Sequence, residues 1–292
     1  MPELPEVETL RRQLNRAVKT KQISDVKILR SKSFQGDYRL ILGQKIKHIN
    51  RTAKILIVRF TRTFPQVLIH LKMTGQLIYQ PYGKIKSQLV NGRVVGGHPT
   101  LDWVGALPSR HTRTIIEFSD RSQLFFNDMR VFGWLKVITS PQTLQAEFAS
   151  LSSVEPLSSQ FTISSLAQIL NHSRRAVKII IMDQKFLAGV GNIYANDALF
   201  MAKIDPLTPA NKLSHKQVAA LHAGLNHVID LGIRQGGASD STYRHLSGLG
   251  GKYQLNFLTY KRDGQPCYNC GTKLLKVKLG GRGTYYCPIC QK

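Results

Sequence analysis

Acidic residues are scarce in this chain, and cysteine is absent until residue 267. Asp and Glu number 17 against 41 Lys and Arg, which leaves a formal net charge of +24. That imbalance favours a polyanionic partner, most often nucleic acid. An anionic membrane is the rival partner, but no apolar run approaches the ~18 residues of a spanning helix. A signal peptide is not expected either, because Glu3, Glu6 and Glu8 stand where its apolar core would start. The expectation is a soluble intracellular protein with no membrane partner. At 292 residues the chain is long enough for two domains, each with its own core.

What is present concentrates at the two ends. The chain opens MPELPEVET. Pro2 is small enough for the initiator methionine to be removed, which would expose a secondary amine. An α-amino group has a pKa of ~8 against ~10.4 for lysine, so roughly a tenth of it is unprotonated at neutral pH. Such amines act as nucleophiles by forming Schiff bases with carbonyl carbons. Glu3 follows directly as a candidate acid-base partner. The plainer alternative is a proline and glutamates that merely open a helix.

All four cysteines lie in the last 26 residues, with the spacing C-x2-C-x16-C-x2-C over Cys267, Cys270, Cys287 and Cys290. This matches an all-cysteine zinc site in which four thiolates close a tetrahedron and leave no position open for chemistry. Two disulfides are the competing reading. Between the pairs, Lys273 to Leu279 largely alternates as a strand does, and Thr284, Tyr285 and Tyr286 return after a Gly280-Gly281-Arg282-Gly283 turn. Arg282 is therefore expected at or beside the tip of a β-hairpin pinned by one structural zinc ion.

Between the ends, short β-branched or aromatic runs from about Ile23 to Ile138 read as strands. Val7, Leu10 and Leu14 follow Pro5 at helical spacing. A serine-rich stretch at 150–153 precedes a helical half that begins near Ile163, and it is taken as the domain boundary. Four further segments could carry chemistry or binding. Lys54 in RTAKI stands at the start of a strand, where a solvated lysine is the ordinary reading. HLKMTG (70–75) and NDMRVFG (127–133) place Met73, Arg130 and Phe132 beside glycine-containing turns. LAGVGNIY (187–194) reads as a helix N-terminus with Asn192 as its cap, suited to a phosphate.

Taken together, MPELPEVETLRR, the cysteine hairpin with GGRGTYYCPIC and these internal motifs resemble the bacterial formamidopyrimidine-DNA glycosylase family, DNA-repair enzymes that remove oxidised purines such as 8-oxoguanine. The resemblance runs from Pro2 to the C-terminal Gln-Lys and is broken mainly around residues 80–110. It implies an α+β fold of two domains, an N-terminal β-sandwich with an N-terminal helix and a C-terminal helix–two-turn–helix domain with a four-cysteine zinc-finger β-hairpin. The expected bounds are 1–145 for the sandwich, 150–260 for the helical domain with a lesion-capping loop at about 236–255, and 261–292 for the finger. It implies a partner, double-stranded DNA with oxidised bases or abasic sites, held in the cleft between the domains by a cytoplasmic, nucleoid-associated monomer. Pro2, Glu3, Lys54 and Arg282 would be catalytic: Pro2 as nucleophile, Glu3 as acid-base group, Lys54 at the abasic sugar, Arg282 on the flanking phosphates. Met73 would fill the hole left by an everted base, Arg130 would face the orphaned base, and Phe132 would wedge the stack. His111, Arg174, Lys178 and Asn192 would contact DNA. The implied reaction is base excision followed by β- and δ-elimination through a Schiff base.

Several residues depart from the family pattern. Lys72 stands where many relatives have glycine and is expected to add a phosphate contact. Val131 replaces a basic residue, Asp197 a glutamate, and Ser173 a lysine of some relatives, for which Arg174 could substitute. The glycine-rich 236–253 stretch matches poorly, and the 83–108 stretch has no assignment. An endonuclease VIII-like enzyme for oxidised pyrimidines is the nearest alternative, and Leu4 argues against it because that relative usually has glycine there. A non-catalytic DNA-binding paralogue would have no reason to retain Pro2, Glu3, Lys54 and Arg282 together. A basic zinc-ribbon protein for structured RNA would leave the N-terminus and both wedge loops unexplained.

Overall fold

The computed structural model describes residues 2–83, 93–97, 105–151, 154–238 and 251–292. Ser152 and Ser153 of the expected boundary, residues 239–250 of the expected lesion-capping loop, and residues 84–92 and 98–104 of the unassigned stretch lie outside them. The chain divides into two compact units. One comprises Met1–Glu147 with Gly236–Gly251, the other Phe148–Gln235 with Lys252–Lys292.

The first unit opens with helix α1 (Leu4–Val18), which buries Leu4, Val7, Leu10, Leu14 and Val18 on one stripe. Ten strands follow: β1 (Ile23–Ile28), β2 (Phe34–Gln35), β3 (Ile46–Thr52), β4 (Ile55–Phe60), β5 (Gln66–His70), β6 (Gly75–Gln80), β7 (Val94–Gly97), β8 (Thr112–Phe118), β9 (Gln123–Asp128) and β10 (Trp134–Ile138). They form two five-stranded sheets, ordered β1-β8-β9-β6-β7 and β2-β10-β5-β4-β3. Leu56, Val58 and Phe60 alternate along β4 into one core, which Ile116 and Phe118 of β8 and Leu124 and Phe126 of β9 enter from the other sheet. The α1 residues Val7, Leu10, Leu14 and Val18 belong to the same core. Gly96 on β7 permits a close approach, since a Cβ there would come within 2.1 Å of Leu10.

Helix α2 (Pro141–Phe148) spans the border of the units. The second unit is built on α3 (Ile163–Asn171), α4 (Val177–Met182), α5 (Asn192–Met201) and α6 (His215–Arg234). Capping boxes start α3 at Thr162 and Ser165 and α6 at Ser214 and Gln217. Strands β11 (Leu275–Leu279) and β12 (Arg282–Tyr286) pair as an antiparallel hairpin, with Leu279 opposite Arg282. Its loop is only Gly280 and Gly281, both with positive φ, as a two-residue hairpin turn requires. Among the described residues no helix is long and apolar enough to cross a membrane.

Candidate active site

In the first unit, Pro2 and Glu3 are buried at the head of α1, where Glu3 is the N-cap. The Glu3 backbone N–H donates to the Glu6 carboxylate at 2.8 Å. The Ala238 N–H donates to the same carboxylate at 2.6 Å. Glu6 therefore ties the start of α1 to the 236–238 segment, a bridge between residues more than two hundred positions apart that no local pattern announces.

Ala53 and Lys54 form the turn between β3 and β4, with Ala53 in the left-handed region at φ +51°. Lys54 is not a solvated strand-edge residue, for it is only 4% exposed. The charges of Lys54 and Lys72 both act on His70, at the end of β5. Burial lowers the His70 pKa, these two charges add to it, and the ring is held at about 3. Its Nδ1 accepts the Lys72 backbone N–H at 3.0 Å, so the neutral imidazole carries its proton on Nε2. His70 thus lies within the field of both lysines, a placement the sequence offered only as the first letter of a loop motif.

Met73 is half-buried in the β5–β6 turn, directly after Lys72 at φ +50°. A residue in the left-handed region explains why glycine suits position 72. Across β6 and β9, Asp128 gathers the second loop. Its carboxylate accepts the N–H groups of Arg130 at 3.1 Å, Phe132 at 2.7 Å and Gly133 at 2.6 Å, and the Thr74 hydroxyl donates to it as well. The Thr74 hydroxyl also accepts from the Arg130 N–H at 3.1 Å, which links the Met73 and Phe132 loops directly. Arg130 and Phe132 are exposed, and the guanidinium lies 4.6 Å from the Phe132 ring centroid. Val131 between them has φ +56°, a strained value for a β-branched residue. His111 is half-buried, and its carbonyl accepts the Asp128 N–H at 2.9 Å.

In the second unit, Arg174 is exposed before α4 and Asn192 is half-buried at the start of α5. The α5 cap is Gly191 rather than Asn192, because the backbone turns helical one residue earlier than side-chain preference suggested. Lys178 lies deeper than its neighbours Arg174 and Asn192. Placed by helical period on the inner face of α4, it is 1% exposed, and its Nζ donates to the Gly283 carbonyl at 3.0 Å and the Thr284 hydroxyl at 2.7 Å. Lys178 thus holds the hairpin next to Arg282, which is itself exposed. Neighbouring α5 residues hold the same region. Asn196 accepts the Tyr285 N–H at 2.9 Å, and buried Asp197 accepts those of Leu258, Thr259 and Tyr260 at 3.1, 2.9 and 3.3 Å. Burial pushes the Asp197 carboxyl up to about 6 against these donors and the Tyr253 hydroxyl.

The ligand atoms of Cys267, Cys270, Cys287 and Cys290 all lie within 4.8 Å of one another. The Cys267–Cys290 and Cys270–Cys287 sulfur pairs are 3.9 and 3.5 Å apart. A tetrahedral ion with metal–sulfur bonds of about 2.3 Å needs edges of roughly 3.8 Å, so the cluster fits a metal of that size.

Three family models cover most of the chain. The formamidopyrimidine-DNA glycosylase N-terminal domain matches residues 1–135, its H2TH domain residues 153–244, and a zinc finger found in FPG and IleRS residues 264–292. The formamidopyrimidine-DNA glycosylase of Ligilactobacillus salivarius is 32% identical across 100% of this chain and 99% of its own length. That of Shouchella clausii is 35% identical over the same shares. Among solved structures, Lactococcus lactis Fpg in complex with abasic-site DNA superposes with a TM-score of 0.85 at 28% identity, covering 99% of each chain. The MutM (Fpg) protein of Thermus thermophilus gives 0.82 at 31%, covering 99% of this chain and 98% of its own. Full-length identity, the matched domains and the four-cysteine hairpin agree: the chain belongs to the formamidopyrimidine-DNA glycosylase family of base-excision repair enzymes.

Proposed function

We propose that this enzyme excises oxidised purines, 8-oxoguanine and formamidopyrimidines, from double-stranded DNA and then cleaves the abasic site by β,δ-elimination. The observation that carries the reading is the buried Pro2-Glu3 pair at the head of α1, in a chain matched over its full length to this family. Relatives bound to abasic-site DNA and to Fapy-dG-containing DNA support the substrate class.

Once Met1 is removed, the Pro2 nitrogen attacks C1′ of the damaged nucleotide. The C1′–N bond breaks and the base leaves with a proton. Opening of the sugar ring then gives an iminium between Pro2 and C1′, with the Glu3 carboxyl donating a second proton, to the ring oxygen. Loss of a C2′ proton expels the 3′ phosphate, the second elimination expels the 5′ phosphate, and water then hydrolyses the imine to release the sugar fragment and free Pro2. Lys54 assists at the sugar, and Arg282 holds the flanking phosphates. Met73 and Phe132 offset the stacking lost when the base leaves the duplex, and Arg130 faces the orphaned base. Arg174, Lys178, Asn192 and His111 bind backbone, and Lys178 also fixes the hairpin that bears Arg282. Cys267, Cys270, Cys287 and Cys290 would hold a zinc ion that closes that hairpin, with all four of its positions filled by thiolates.

Excision tests the substrate assignment. Duplexes with 8-oxoguanine opposite cytosine, with an oxidised pyrimidine and with no lesion are incubated separately with the enzyme. Cleavage of the first well ahead of the others is expected. Preferential cleavage of the pyrimidine duplex would move the protein to endonuclease VIII-like specificity.

A further inference from the structure

Two residues outside this machinery, Glu8 and Arg51, hold the turn that carries Lys54. Glu8 lies on α1, the helix headed by Pro2 and Glu3, and its side chain is 11% exposed. One carboxylate oxygen accepts Arg11 Nη2 and Arg12 Nε, each at 2.8 Å. The other accepts Arg11 Nε at 2.9 Å and, from β3, Arg51 Nε at 3.3 Å. Arg51 then continues the chain of contacts, its Nη1 donating to the Ala53 carbonyl at 2.7 Å. That carbonyl belongs to the peptide joining left-handed Ala53 to Lys54. A guanidinium can span a carboxylate and a carbonyl with separate N–H groups, which a lysine ammonium does less well because it is a single point of charge. Nearby, Asn15 accepts the Ile49 N–H at 2.8 Å, so β3 is tied to α1 at a second point.

We propose that Glu8 and Arg51 are positioning residues for the reaction: through the Ala53 peptide they fix the turn that aims Lys54 with respect to the helix bearing Pro2 and Glu3. This rests on Lys54 acting at the abasic sugar. Burial pushes the Glu8 carboxyl up, but hydrogen bonds from Arg11 and Arg12 and the charges of Arg11 and Arg51 outweigh it and hold it at about 2. Its negative charge therefore persists at every working pH. Arg51 is equally shielded, at 11% side-chain exposure, so its orientation is set by protein groups more than by water.

The test is a mutant cycle read by single-turnover borohydride trapping on an abasic-site duplex, using the full-length zinc-loaded enzyme. Glu8→Gln and Lys54→Ala are made singly and together, with melting curves confirming each fold. Misplacing a catalytic group by about 1 Å costs on the order of 100-fold, so Glu8→Gln alone is expected to slow trapping by about 10- to 100-fold. In the Lys54→Ala background it should add less than about twofold, since its effect passes through Lys54. Arg51→Lys, which keeps the charge and loses the fork, should reproduce both results if Glu8→Gln does not fold. An equal loss from Glu8→Gln, or from Arg51→Lys, with and without Lys54 would overturn the proposal and leave a merely structural role. Wild-type trapping by the Glu8 and Arg51 variants would overturn it too, while wild-type trapping by Lys54→Ala would overturn the reading of Lys54 itself and the proposal with it.

Discussion

The Asp128 carboxylate accepts the Phe132 backbone N–H at 2.7 Å, so a buried anion four residues back fixes an exposed aromatic ring. The same carboxylate takes the N–H groups of Arg130 and Gly133 and the Thr74 hydroxyl. Asp128→Asn would turn an N–H donor toward two of these partners. A loss of about 1–3 kcal/mol in stability is expected from the unpaired groups. Melting curves check the stability. Single-turnover excision should slow more than binding to undamaged DNA weakens, because the wedge loop is displaced while the phosphate contacts remain.

Position 72 separates a backbone role from a charge role. Lys72 sits at φ +50°, where glycine is unstrained. Lys72→Gly is therefore expected to leave stability unchanged or raise it by up to about 1 kcal/mol. If the ammonium contacts phosphate, the slope of log affinity against log salt should fall by about one. Titrations at several salt concentrations read it, and an unchanged slope and affinity would remove the phosphate contact.

Asp197 and Glu8 impose opposite pH dependences. Burial raises Asp197 in the folded state from 3.8 to about 6, so the native protein binds the extra proton between those values. Its contribution favours the fold fully below about 4 and is lost as pH rises through about 6, on the order of 2–3 kcal/mol. Glu8 runs the other way, from 4.5 down to about 2, and its stabilisation is present above 4.5 and lost only as pH falls through about 2. Between about pH 4.5 and 6, Asp197→Asn should flatten the stability profile relative to wild type. Denaturant melts across that range decide it, and parallel profiles would contradict the assignment.

Removing the metal should act through the hairpin. Elemental analysis is expected to find one zinc ion per chain. Chelation should lower the melting temperature and abolish incision, because the strands flanking Arg282 lose the cluster that closes them. Full activity after complete metal removal would show that the hairpin holds without it.

Both ends of the molecule were legible because their chemistry is local. Cysteine spacing and a Gly-Gly turn specify a hairpin, and proline followed by acidic residues specifies a helix start. The motif loops were legible as loops for the same reason. What holds them was not, because the partners are distant in sequence: Asp128 with Thr74, Glu6 with Ala238, Glu8 with Arg51. The contact of Lys178 with the Gly283 carbonyl was hidden for the same reason, its partner lying 105 residues away. Asn192 was misread as a cap because side-chain preference favours asparagine, while the backbone geometry placed Gly191 there.

The most direct test of the central claim is to trap the enzyme with borohydride on an 8-oxoguanine duplex and map the adduct by peptide mass spectrometry. A covalent adduct on the nitrogen of Pro2, in protein that has lost Met1, is the predicted result. An adduct on Lys54 or another lysine, or none from correctly processed enzyme that binds the duplex, would contradict the account.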